Sequence, residues 1–76
     1  MKQSVIHISP HILSGTPVFH GTRVPIKNLF DYIETGEPLD EFLTAFPSVS
    51  REQVLKVLEL AEHLLLTHDL ADESLA

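Results

Sequence analysis

The chain has 76 residues, 43% of them hydrophobic, no cysteine, and a net charge of −6. That length allows one small domain, the hydrophobic fraction excludes a disordered chain, and the lack of cysteine excludes disulfides and thiolate metal sites. No long apolar run opens the chain, so neither a secretory signal nor a membrane span is expected, and a cytoplasmic protein is.

Ser4–Ile8 is short, β-branched and stopped by Pro10, which predicts a strand. "SPHILSG" follows as a turn or one short helical turn, with Pro10 fixing φ and Gly15 releasing the chain. The next stretch nearly repeats itself: Gly15-Thr16-Pro17-Val18 is echoed by Gly21-Thr22-Arg23-Val24. Val18-Phe19 and Thr22-Arg23-Val24 are expected to pair as a tight hairpin around His20-Gly21. Gly15, Pro17, Gly21, Thr22, Arg23 and Pro25 are then architectural. Arg23 is expected to tie the hairpin to a helix-end carboxylate or carbonyl, and Pro25 to launch a helix.

Three helices follow. Ile26, Leu29, Phe30 and Ile33 make one apolar face, and Gly36 ends that helix. Leu39, Phe42, Leu43 and Phe46 repeat the spacing between Pro38 and Pro47. The third helix starts at Ser50, where Ser50-Arg51-Glu52-Gln53 fits a capping box, and runs to about Leu66. Val54, Val57, Leu58, Ala61, Leu64 and Leu65 form its apolar arc. Leu55 and Leu66 fall among polar residues and Leu60 at the edge of the arc. These leucines either bury against the chain's own strands or meet a second copy or another protein. The fold class is therefore mainly α: a three-helix, homeodomain-like (helix-turn-helix) bundle preceded by short N-terminal strands. The domain covers residues 1–66, with a strand arm (1–25) and a helical unit (26–66). Residues 67–76 form an acidic tail, read as a loose terminus or as a segment that orders on a partner.

The two Gly-Thr pairs lack the spacing of a phosphate loop, since no Gly-Lys-Ser/Thr follows. The five histidines do not fall at metal-ligand spacing, and no nucleophile elbow is present. So small a chain leaves little concave volume for a pocket. No enzyme, cofactor, metal or small-molecule substrate is expected.

The second and third helices have the order of a helix-turn-helix that would present Ser50, Arg51, Gln53 and Lys56 to a DNA groove. The plain alternative is a bundle in which the same spacing only builds a core. The charge pattern weighs against strong operator binding. Residues 37–76 carry Arg51 and Lys56 against nine acids, and no Lys or Arg follows Glu59. Such a half repels nucleic acid and attracts a basic partner. Leu55, Leu60, Leu66 and Leu70 are the candidate partner or dimer contacts. A homodimer is expected, because the short strands offer unpaired edges.

Gly15-Thr16-Pro17-Val18, Gly21-Thr22-Arg23-Val24-Pro25, Gly36 and Phe46-Pro47-Ser48-Val49-Ser50 together resemble the bacterial domain of unknown function 433 family, from about Ile6 to Leu65. His20 stands where many members carry Arg. The resemblance implies a homeodomain-like helical domain and an antitoxin-like protein that binds and neutralises a PIN-like ribonuclease toxin, and it brings no catalytic residues. A DNA-binding regulator using the third helix and a homodimeric interaction module are the other readings.

Overall fold

The computed structural model describes residues 4–67. Two short strands, β1 (Ile6–His7) and β2 (Val18–Phe19), precede three helices, α1 (Ile26–Glu34), α2 (Leu39–Ala45) and α3 (Arg51–Thr67). The architecture is mainly helical, as the sequence predicts. The acidic-tail and Leu70 expectations fall on residues 68–76, outside the described residues, and Thr67 belongs to α3.

The strand pairing differs from the expected hairpin. β2 pairs antiparallel with β1, Ile6 opposite Phe19 and His7 opposite Val18. The His20 N–H, donating to the Val5 carbonyl at 2.8 Å, extends that ladder. The second Gly-Thr arm contributes only one isolated bridge, Val18 to Pro25. The turn explains this. Gly21 has φ +79°, while His20 beside it has no positive φ. Tight two-residue hairpins need positive φ at the first central position, so the arms close over a longer loop instead, with the Phe19 N–H donating to the Val24 carbonyl at 3.0 Å. Thr22 then takes over. Its N–H and Oγ1 both donate to the Phe19 carbonyl (3.0 and 2.8 Å), and its Oγ1 accepts the Val24 N–H (3.0 Å). The first arm meets α1 as well, through the Ile26 N–H donating to the Pro17 carbonyl at 3.0 Å.

The "LSG" stretch is a left-handed turn. Leu13, Ser14 and Gly15 all have positive φ (+48°, +56° and +91°). Non-glycine residues in this region cost about 1–2 kcal/mol each. The Thr16 Oγ1 and N–H, donating to the Leu13 carbonyl at 2.8 and 3.1 Å, hold it closed.

The helix ends follow local chemistry. At the end of α1 the Gly36 N–H donates to the Ile33 carbonyl and the Glu37 N–H to the Tyr32 carbonyl (3.0 and 2.9 Å). That double bond pattern needs a left-handed residue at Gly36, whose φ is +81°. Lys27 pairs with Asp31 one turn along α1 at 2.8 Å; the hydrogen bond and charge of Asp31 raise the Lys27 ammonium above its ordinary pKa. Asp40 and Glu41 fall in the first turn of α2, where the helix dipole favours acids.

The core is small: Val18, Phe19, Leu29, Phe42, Val49, Val54 and Val57 are the buried apolar residues. Phe42 is its hub. Its ring centroid lies 5.9 Å from Phe19, 5.5 Å from Tyr32 and 5.0 Å from Phe46. One side chain thus joins β2, α1 and the α2–α3 turn. Phe42→Ala removes all three contacts and should cost about 3–5 kcal/mol, enough to melt most of so small a fold. Urea unfolding followed by circular dichroism checks this, with the exposed Ile33→Ala as a control that shifts the midpoint little.

Candidate functional site

The start of α3 is fixed by its own side chains. Ser50 Oγ accepts the Gln53 N–H (3.1 Å), and Gln53 Oε1 accepts the Ser50 N–H (3.0 Å), which completes the expected capping box. The other end of the same amide does something the sequence reading missed. Gln53 Nε2 donates to the His20 carbonyl at 2.9 Å, a half-buried bond that locks the N-terminal turn onto α3. A capping glutamine always has an amide NH₂ to spare, but which distant carbonyl takes it is decided by tertiary packing.

The remaining polar residues at this end of α3 are also engaged. Arg51 pairs with Asp40 of α2, and Lys56 sits 3.4 Å from Glu59. The four residues expected to read DNA, Ser50, Arg51, Gln53 and Lys56, thus lie together but each holds an intramolecular partner. Between them and the arm runs an open groove of about 530 Å³, lined chiefly by Val5, His20, Glu52, Leu55, Lys56 and Glu59. The His20 ring meets that of His7 edge to face, 5.5 Å between centroids. No group of three or more metal-ligating side chains occurs among the described residues. No helix among them is long and apolar enough to cross a membrane.

Arg23 departs from its expected structural role. It is exposed, and among the described residues it makes neither a hydrogen bond nor an ion pair, so it ties the turn to nothing. The reason is that Thr22 and Gln53 already hold the turn. Gly21 sets the reversal, Thr22 closes it, Pro17 accepts the Ile26 N–H, Gly15 completes the left-handed turn, and Pro25 stands at the N-cap of α1.

The most unusual surface is the far half of α3. The last fully buried residue of the helix is Val57, and ten residues follow it before the helix ends at Thr67. At 1.5 Å per residue they extend about 15 Å. Leu64 and Leu65 continue the arc of Val54, Val57, Leu58 and Ala61, yet they are 53% and 60% exposed. The apolar arc has the expected helical period, but the core stops short of its last two residues. Leu55, Leu60 and Leu66, the described candidate contacts, are also exposed, Leu66 at 77%. Glu59 and Glu62 flank these leucines, and no lysine or arginine follows Lys56. The arrangement offers an apolar helical ridge with acidic residues beside it.

The family described as "Protein of unknown function (DUF433)" matches residues 6–61. A curated relative, "Uncharacterized protein y4eO" of Sinorhizobium fredii (strain NBRC 101917 / NGR234), is 36% identical over 52 residues, which covers 68% of this chain and 24% of the relative. The chain thus spans about a quarter of that relative's length. No solved structure matches the chain.

The Gln53 amide gives a test at this point. Gln53→Glu keeps an oxygen for the Ser50 N–H but removes the donor to the His20 carbonyl. It should cost about 1–3 kcal/mol, the penalty of one lost half-buried bond, and should quicken amide exchange in residues 19–24. Ser50→Ala, which removes the cap alone, should cost about 1 kcal/mol and leave that exchange unchanged.

Proposed function

We propose that this chain, which belongs to the DUF433 family, is a non-enzymatic, antitoxin-like binding protein that docks on a PIN-like ribonuclease and neutralises it. The observation that carries the reading is the far half of α3, helical and rich in leucine yet uncovered by its own domain. A small domain rarely leaves such a ridge bare unless something covers it. Its charge names the chemistry of the cover. Every ionised side chain from Glu59 onward is acidic, five in all. An enzyme that cuts RNA presents a basic surface to the phosphate backbone. An acidic rim around an apolar ridge complements such a surface, steers the encounter and competes with substrate.

A second copy fits the same ridge less well, because two such ends would bring acids against acids. Ser4 Oγ also takes the Ile6 N–H (3.1 Å), so that donor of β1 is already used within the chain. Operator recognition has less support still, since Arg51 and Lys56 each face an acid.

The test is co-purification with the protein encoded by the adjoining reading frame. The wild-type chain should form a complex and suppress ribonuclease activity. Leu64→Gln combined with Leu65→Gln should abolish both and change the melting temperature of the free chain little, since neither residue is buried and Gln is a good helix former. An unchanged complex would remove α3 from the interface. A stable dimer of the free chain that the same double substitution dissolves would give the ridge to a second copy. Salt-dependent operator binding lost on Arg51→Ala with Lys56→Ala would favour the DNA-binding reading.

A further inference from the structure

We infer that Arg23 is a preorganised anchor for a carboxylate on the partner protein, and that it forms one interface with the leucine ridge of α3. The inference rests on the docking role proposed above and adds the second contact point.

Arg23 is the odd residue of its motif. Gly21, Thr22, Val24 and Pro25 are each spent on architecture: the positive φ, the hydroxyl closure, packing against the core and the N-cap of α1. Arg23 is spent on nothing. The described residues contain four lysines and arginines, and Lys27, Arg51 and Lys56 face Asp31, Asp40 and Glu59. Arg23 alone among them has no acid. An arginine left unpaired in so acidic a chain is conspicuous, because eleven carboxylates compete for five lysines and arginines overall.

The backbone that carries it is held firmly. The Phe19 carbonyl accepts from both the Thr22 N–H and its hydroxyl, the Phe19 N–H donates to the Val24 carbonyl at 3.0 Å, and the His20 carbonyl takes the Gln53 amide. Phe19 itself is fully buried. A guanidinium on such a mount loses little backbone entropy on binding, which is the condition for an effective anchor. Its planar fork suits a carboxylate in two-point contact.

The same bonds place the turn relative to the ridge. Gln53, Leu60 and Leu64 stand at i, i+7 and i+11, which puts them in one row along α3. The turn that Gln53 grips therefore lies on the Leu60 and Leu64 side of the helix. Gln53 and Leu64 are about 16 Å apart along the axis. An interface of ordinary size, about 800 Å² on each partner, spans that distance. The partner must then offer an acidic spot for Arg23 and an apolar surface for Leu60 and Leu64. Two contacts of different chemistry fix the orientation of docking, which neither does alone. A protein carboxylate is favoured over a nucleic-acid phosphate because the other charges of this chain repel a polyanion.

The experiment compares wild type, Arg23→Ala, Arg23→Lys and Arg23→Glu in binding the product of the adjoining reading frame, by calorimetry and stopped flow. Arg23→Ala should weaken binding about tenfold or more, the size of an interface hot spot. Arg23→Lys should recover part of the loss, Arg23→Glu should be worse than Ala, and the association rate should fall less steeply with salt once the charge is gone. Melting temperatures of the free variants should match wild type. Equal affinity for wild type and Arg23→Ala would overturn the inference and leave the docking role standing. No binding by wild type would remove both. A lowered melting temperature that accounts for the whole loss would return Arg23 to a structural role. If wild type instead binds a labelled DNA duplex and Arg23→Ala abolishes it, the ligand is a phosphate and the inference is wrong.

Discussion

Seven buried side chains hold this fold, and they reach only as far along α3 as Val57. Most of the molecule's character follows from that limit. Phe42 gathers Phe19, Tyr32 and Phe46 around one point, so β2, α1 and the α2–α3 turn converge there. α3 joins the cluster through Val54 and Val57. Leu58 still packs against it, but Leu60, Leu64, Leu65 and Leu66 beyond stay exposed. A chain of this size has too little interior to bury a 17-residue helix along its whole length. The helix persists because its bonds are internal and its residues are good helix formers, mostly Leu and Glu.

The opposite end of α3 is tightly determined. A single amide, that of Gln53, both completes the cap and grips the N-terminal turn. This gives the domain an uneven profile, with a rigid junction at the start of α3 and a bare apolar ridge at its end. A rigid mount beside an exposed ridge is a suitable layout for binding, where ordering costs are met before the partner arrives. The groove beside the junction is open, and within it Lys56 faces Glu59.

Much of this was legible in the sequence, for identifiable reasons. The helices show as 3.6-residue periodicity punctuated by Pro25, Gly36, Pro38 and Pro47, and the Ser50–Gln53 cap is a local motif that needs no tertiary knowledge. Period alone, however, says which side of α3 is apolar and not how far the core extends along it; the exposure of Leu64 and Leu65 is visible only in the fold. The hairpin is legible only in part for a similar reason. Gly21 announces a reversal, but the φ of His20 keeps it from being a tight two-residue turn, and β2 pairs with β1 along one edge while its other edge keeps a single bridge to Pro25. The sequence points Arg23 to a structural role because its competitors for that role, Thr22 and Gln53, act through bonds that the sequence does not display.

The account turns on the far half of α3 being a docking surface, and hydrogen exchange read by mass spectrometry addresses this directly. In the free chain, amides in residues 60–67 should exchange quickly, since few tertiary contacts hold that part of the helix. Bound to the product of the adjoining reading frame, those amides should be strongly protected, together with residues 20–24 of the turn. Complex formation with no change in exchange over residues 60–67 would contradict the account.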